Sequence, residues 1–388
     1  MEKDYSSLLA LAKQQISEAQ IKLLTASNKE LLYLYWKLGH LILHHQTIEG
    51  WGAKVIDLLS ADLKKELPNQ KGFSPRNLKY MRKFALEYQV PVIKSLNIAS
   101  EKLLASILEQ DKVLKIITEI VQQLIAQIAT NEIVQQPVAQ IDDQFFYDSI
   151  ISRVSWSHHV VLLDKEPDLG KRLWYIHNTI DQGVSRNTLI FQIESGLFER
   201  QVKSKKLSNF KSTMPPVQSD FANYLLKDPY IFDFVNAKEK ADERNIEEQL
   251  TNHVTKFLLE LGKGFAFIGR QMHFEIGGKD FFLDLVFYHT RLKCHVVVEL
   301  KAREFQPGDA SQLNFYVNLA NDHLKSKDDH ETIGLLLCKG KNDVVAEYSL
   351  KGFSNAFGIS DYQISKVIPE ELRSELPQIE DIEQEFKE

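Results

Sequence analysis

The stretch FFLDLVFYHTRLKCHVVVELKA, residues 281–302, sets an aspartate and a Glu-x-Lys triplet inside two apolar strands separated by a short turn. A run such as Val296-Val297-Val298 with Leu300 reads as a strand covered on both faces, rich in β-branched residues and bounded by turn chemistry. An unpaired buried carboxylate or ammonium costs several kcal/mol, so Asp284, Glu299 and Lys301 must pair with each other, ligate a metal, or open onto a cleft. Side chains alternate along a strand. Glu299 and Lys301 therefore share one face while Leu300 takes the other, and Phe282, Asp284 and Val286 share a face of the preceding strand. A hairpin through His289 to Lys293 brings Asp284 near Glu299 and outlines a divalent-cation site.

Two acidic oxygen ligands suit Mg²⁺ or Mn²⁺, which keep several waters and complete their shell from substrate phosphate. Lys301 is then placed to orient a water or offset charge developing at phosphorus. The competing reading is a buried ion-pair network with no chemistry.

The flanking sequence supplies more of the same frame. In NIEEQLTNHVTKFLLELG, Ile246, Leu250, Val254, Phe257 and Leu261 recur at helical spacing, which predicts one amphipathic helix ended by Gly262. Glu247 falls in the column of Val254 and Leu258, at the inward edge of that stripe. GFAFIG follows as a short strand, and Gly277-Gly278 marks a hairpin turn. After Pro307-Gly308, DASQLNFYVNLAND reads as a helix with Gln312 and Tyr316, four apart, on one face. Thr332 to Cys338 is another buried strand.

Helix, three strands, helix, strand, with Asp284, Glu299-Leu300-Lys301 and a following Gln-x-x-x-Tyr, resembles the PD-(D/E)xK nuclease superfamily in its RecB-like branch. Within it the chain is similar to the YhcG family of bacterial proteins, on YWKLGHLI, GWGAKVIDLLSADLKKELPNQKGFSPRNLKYMRKF, SWSHHVVLLDK, IESGLFERQ, FLLELGKGFAFIGRQ and DFFLDLVFYHTRLKCHVVVELK. The segment from about 90 to 150 and the C-terminus fall mainly outside those matches. The resemblance implies an α+β multidomain protein. Its N-terminal domain is mostly helical, with a helix-turn-helix-like element that residues 55–88 themselves suggest, and its C-terminal domain is an αβββαβ restriction-endonuclease-like fold. It makes Asp284 and Glu299 the metal ligands for Mg²⁺ or Mn²⁺ and Lys301 the catalytic lysine. Glu247 matches the helix glutamate, with Glu248 beside it as the alternative. Gln312 and Tyr316 would line the cleft and contact the scissile strand or hold the lysine. Leu283 stands where the superfamily often has proline before the aspartate. The implied activity is metal-dependent hydrolysis of DNA phosphodiesters; the alternative is a non-catalytic DNA-binding or assembly protein on the same fold.

At 388 residues with 44% apolar side chains, the chain is long for one core. The expected organisation is a helical, helix-turn-helix-like region over 1–95, a helical insert and linker over 96–145, the remainder of the N-terminal domain over 146–210, and the nuclease domain with its tail over 211–388. The chain opens on charged Met1-Glu2-Lys3-Asp4, and the apolar run from Val113 to Ile128 is interrupted by Lys, Glu and Gln, so a cytoplasmic protein without a membrane segment is expected. Cys294 and Cys338 both fall in core strands and read as buried thiols. The net charge of −6 is segregated: from Ile368 onward there are eight acidic and two basic residues, which leaves the rest of the chain balanced.

Residues 55–67 read as one helix, broken by Pro68 and Gly72. Ser74 is a good N-cap and Pro75 a good first helical residue for the next. On that second helix Leu78, Met81, Ala85 and Tyr88 make the apolar side, while Arg76, Lys79 and Lys83 lie opposite and Arg82 nearby. These four residues fit a basic recognition helix entering DNA, or a solvated face of a helical bundle. Tyr33, Tyr35, Trp36 and Trp51 read as core or interface, His158-His159 as local packing or a cap, and Asp164 and Arg172 as ordinary surface residues. Leu114, Ile117, Val121, Leu124 and Ile128 form a short coiled-coil seam suited to self-association or to an intramolecular helix pair. Residues 135–137 look like a linker, and Lys203 to Pro216 like a solvated basic connection. A homodimer is expected, since one nuclease centre cuts one strand.

Overall fold

The computed structural model describes residues 2–48, 54–94, 96–97, 144–232, 235 and 243–364. The seam from Leu114 to Ile128, the linker at 135–137, Trp51 and the acidic tail from Ile368 lie outside them. The described chain divides into two compact units at Ile190/Phe191.

The N-terminal unit is helical. Its principal helices are α1 (Glu2–Ile48), α2 (Lys54–Glu66), α3 (Pro75–Glu87), α4 (Trp156–Lys165) and α5 (Leu169–Gln182). Ser74 caps α3, its hydroxyl accepting from Asn77 N at 3.3 Å, and Pro75 takes the first turn, as the sequence predicts. The apolar side of α3, with Leu78, Met81 and Ala85, is fully buried. Tyr33, Tyr35 and Trp36 are core residues of α1, and the Trp36 indole donates to Tyr88 O at 2.6 Å. Gly39 lets α1 approach α3: a methyl group there would run into the Met81 carbonyl and the Ala85 side chain. His158 and His159 are packing residues, bonded to Ser155 Oγ and Val184 O, and to Ile151 O, respectively. Arg172 departs from its surface reading. It is 2% exposed, bonds Glu87 at 2.6 Å and lies over the Tyr88 ring, because α5 is wrapped by the unit rather than laid on it.

The C-terminal unit is built on one mixed sheet. Its strands are β1 (Leu207–Ser208), β2 (Tyr230–Ile231), β3 (Phe265–Ile276), β4 (Lys279–His289), β5 (Cys294–Glu304), β6 (Ile333–Gly340) and β7 (Ala356–Gln363), in the order β1-β7-β6-β5-β4-β3 with β2 beside β7. β3, β4 and β5 are antiparallel neighbours, whereas β5, β6 and β7 run parallel. Helices α6 (Pro216–Leu225), α7 (Glu243–Asn252) and α8 (Val254–Leu261) cover one face through Leu225, Ile246, Leu250, Phe257 and Leu261, packed on Leu285, Phe287, Val298 and Leu300. Helices α9 (Pro307–His323) and α10 (Asp343–Leu350) cover the other face through Leu313, Val317, Ala346 and Leu350, on Val286, Val297 and Leu336. The expected αβββαβ order is present, followed by α10 and β7.

Three local expectations change. The single helix before the sheet is two, broken where His253 leaves helical geometry at φ −113° and ψ 37°. Asn252 precedes the break, and its side chain competes with the helix for backbone partners. The short strand at Phe265 extends twelve residues, to Ile276, and meets β4 through Gly277 and Gly278, both left-handed at φ 60° and 73°, the conformation a two-residue hairpin requires. The solvated basic connection from Lys203 to Pro216 is instead part of the fold. Leu207 and Ser208 pair with Ile359 and Gly358, Phe210 is in the core, and the Lys206 ammonium bonds Arg200 O and Ser204 Oγ.

Candidate active site

The site forms where two paired strands part. The β4–β5 ladder ends at Leu285↔Val298, one residue short of Asp284. Beyond that point β5 stays paired with β6 on its other side, but its donors facing β4 have no strand partner and acidic side chains take them: Asp284 Oδ2 accepts from Leu300 N at 3.0 Å and Glu243 Oε1 from Ala302 N at 3.2 Å. Where the strands part, carboxylates of β4 and α7 converge on the freed edge of β5.

Glu299 and Lys301 project from β5 on the face covered by α9. Glu299 is 2% exposed and Lys301 6%. The ammonium donates to Glu299 Oε1 at 2.9 Å, and Glu299 Oε2 is buried with no hydrogen-bond partner. Burial, and then the nearby Asp284, push the Glu299 carboxyl up to about 8 despite Lys301. Burial also raises Asp284, which the Leu300 N–H and Lys301 offset only in part. For Lys301 burial acts to lower the pKa, but Glu299 outweighs it and the ammonium is held above its ordinary range. Two carboxylates that resist joint ionisation, one with an orphaned oxygen, form a donor set that a hard divalent cation satisfies. Among the described residues no three His, Cys, Asp or Glu side chains group at ligand spacing. Asp284 and Glu299 therefore stand as a pair, which suits an ion that takes its other ligands from water and phosphate.

Glu247 on α7 is buried, while Glu248 beside it is exposed. Glu247 reaches Asp284 through a residue that the sequence reading did not single out. The Gln271 side-chain nitrogen donates to Glu247 Oε2 at 2.6 Å and to Asp284 Oδ1 at 3.1 Å. Gln271 sits within β3 at φ 45°, a left-handed conformation that costs a non-glycine residue about 1–2 kcal/mol. Glu243, one helical turn before Glu247, was missed as well. Its spacing of four on an amphipathic helix is a signal that could have found it; Gln271 offered none, because its partners lie 13 and 24 residues away.

On α9, Tyr316 is 8% exposed and feels the charges of Glu299, Asp284 and Lys301, while burial raises its phenol pKa. The Gln312 amide donates to Tyr316 Oη at 3.0 Å, so this pair is joined to itself, and the lysine is held by Glu299. The helix is anchored by a capping box between Gln306 and Asp309, with Arg303 on Asp309 at 2.6 Å.

Two family models match this arrangement of domains. A DUF1016 N-terminal domain matches residues 11–104 and 114–200, and a YhcG PDDEXK nuclease domain matches residues 223–377. The chain belongs to the YhcG family, within the PD-(D/E)xK nuclease superfamily. It is 28% identical over 366 residues to the putative nuclease YhcG of Escherichia coli (strain K12), an alignment covering 92% of this chain and 89% of that one. No solved structure matches it. The family match also runs through most of the region from 90 to 150, which the sequence motifs had placed outside it, and leaves 105–113 unmatched.

In the family's N-terminal domain the four basic residues of α3 separate into two pairs. Arg76 and Lys79 are exposed, with Arg76 over the Tyr80 ring. Arg82 donates to Gln46 at 3.0 Å and Lys83 to Leu163 O at 2.6 Å, both half-buried. Asp164 accepts from the Tyr80 hydroxyl. No helix among the described residues is long and apolar enough to cross a membrane.

Proposed function

We propose that this chain is a Mg²⁺- or Mn²⁺-dependent nuclease that hydrolyses DNA phosphodiester bonds, acts as a homodimer in the cytoplasm, and holds duplex DNA through its N-terminal domain. The observation that carries the reading is half-buried Asp284 beside buried Glu299, whose Oε2 is unpartnered and whose Oε1 accepts from Lys301 at 2.9 Å. Asp284 and Glu299 are the residues that would hold the cation. Bound there, it would polarise a phosphodiester oxygen and acidify a water.

The chain's own groups do the rest. Glu299 must be deprotonated to act, so its raised pKa makes the cation-free site reluctant to ionise. Lys301 keeps a positive charge beside the cleft, where it offsets charge developing on the phosphoryl oxygens or fixes the attacking water. Glu247 enlarges the acidic surface facing Asp284. Gln312 and Tyr316 stiffen the wall of the cleft on the α9 side and present a phenol to the substrate strand. Arg76 and Lys79 supply exposed charge for phosphate contact, and Arg82 and Lys83 support the helix that carries them. This division of labour keeps the expected 1–95 and 96–145 regions but moves the start of the nuclease domain from 211 back to about Phe191, since Leu207, Ser208 and Phe210 belong to its sheet and core.

The test is calorimetric titration of Mn²⁺ into the wild type and Asp284→Ala, with both proteins incubated with linear, nicked, branched and single-stranded DNA. Cation binding and cleavage confined to the wild type support the proposal. A folded wild type that binds DNA but neither binds Mn²⁺ nor cleaves refutes it in favour of a binding module.

A further inference from the structure

Gln271 has a place in the cleft that the sequence motif does not give it. Its side-chain nitrogen spends both hydrogens on acidic oxygens, one on Glu247 of α7 and one on Asp284 of β4, which joins a helix to a strand across the cleft mouth. The backbone at this residue is left-handed although its immediate neighbours keep one register, Arg270 pairing with Leu285 and Met272 with Leu283, beyond a register shift between Phe267 and Gly269. A single residue thus departs from the strand just where its amide meets two carboxylates. Asparagine, aspartate and glycine enter that conformation more readily than glutamine, so nothing local in the side chain selects it. What the conformation gains is the bridge.

Glu247 has other places to go. Arg244, three residues earlier on the same helix, and Arg270, next to Gln271, are exposed guanidinium groups whose charges both act on Glu247. Asp284, the group it faces, repels it. Without a neutral donor between the two acids, electrostatics would turn Glu247 outward to an arginine and away from the cleft. The other charged groups that interact with Asp284 are Lys301, Glu243 and Glu299; the ammonium of Lys301 bonds Glu299, and Glu243 accepts from Ala302 N.

We infer that Gln271 is a positioning residue of the nuclease site: its amide keeps the Glu247 carboxylate facing Asp284 in the cation-free protein, so that the cleft is assembled before the cation arrives. The inference rests on the nuclease reading for its consequence, but the bridge can be tested without cleavage.

Gln271→Gly removes the amide and accepts the backbone conformation, so it separates the side chain's role from strain. Mn²⁺ affinity is measured by calorimetry, and the environment of the bound ion by its electron paramagnetic resonance line shape. Gln271→Gly is expected to bind Mn²⁺ about tenfold more weakly, corresponding to one hydrogen-bonded contact at about 1.4 kcal/mol, with an altered line shape. Its cleavage rate should recover toward the wild type at saturating Mn²⁺. Gln271→Gly combined with Arg244→Ala, which removes a competing partner, should regain part of the lost affinity. Wild-type affinity and an unchanged line shape in Gln271→Gly would overturn the inference. So would a loss of cleavage that saturating Mn²⁺ does not restore, which would put Gln271 in direct contact with the reacting groups. If the wild type itself binds no Mn²⁺, the nuclease reading fails, and the bridge is then judged by hydrogen exchange at α7. Faster exchange there in Gln271→Gly than in the wild type sustains it, and equal exchange removes it.

Discussion

The raised Glu299 pKa predicts how the cation-free nuclease domain loses stability with pH. A folded value of about 8 against an ordinary 4.5, at about 1.36 kcal/mol per pH unit, sets a ceiling of roughly 5 kcal/mol. The sign follows from the protons held in each state. Below pH 4.5 the carboxyl is neutral both folded and unfolded, and the full stability is present. Above 4.5 the unfolded chain releases its proton while the fold retains it, so stability falls steadily until about pH 8, where the loss levels off. In Glu299→Gln this component is absent, so the variant's stability should be much flatter between pH 5 and 8. All four tryptophans, Trp36, Trp51, Trp156 and Trp174, precede residue 191, so no tryptophan reports on this domain from within it. The assay is therefore hydrogen exchange at β5 peptides in EDTA, wild type and variant compared at each pH. Parallel pH profiles for the two proteins would refute the argument. Added Mg²⁺ should restore protection most at high pH, since binding needs the ionised form.

Other expectations separate the roles assigned above. With Asp284 and Glu299 as the proposed ligands of the cation, Lys301→Met should abolish cleavage while Mn²⁺ still binds in calorimetry. Arg76→Ala with Lys79→Ala should weaken DNA binding and lower its salt dependence by about two counterions, with no change in melting temperature. Lys83→Ala should instead cost about 1 kcal/mol of stability, by removing the donor to Leu163 O, read in urea by tryptophan fluorescence. Gly39→Ala should destabilise the N-terminal unit by about 3 kcal/mol, since the added methyl meets the Met81 backbone rather than a flexible side chain. The same fluorescence titration checks it.

Much of the frame was legible because it is local. Alternation in residues 281–302 assigned Glu299 and Lys301 to one face, and the hairpin put Asp284 across from them. Ser74 and Pro75 announced the start of α3 by cap chemistry alone. The same local logic misplaced Lys203 to Pro216, whose lysines read as a solvated linker. Leu207 and Ser208 extend the sheet only because β7, about 150 residues later, offers an edge. Arg172 looked like a surface residue because its ion-pair partner, Glu87, is 85 positions away.

What the sequence determined by itself is that Asp284, Glu299 and Lys301 must find partners, since charges inside an apolar strand leave few physical outcomes. What only the tertiary structure decided is how those charges meet: the ladder opens after Leu285, the freed amides of Leu300 and Ala302 are taken by Asp284 and Glu243, and Gln271 turns left-handed to join Glu247 to Asp284. Each of these depends on where another segment comes to rest, and hydrogen bonds across space leave no periodic mark on the chain that forms them.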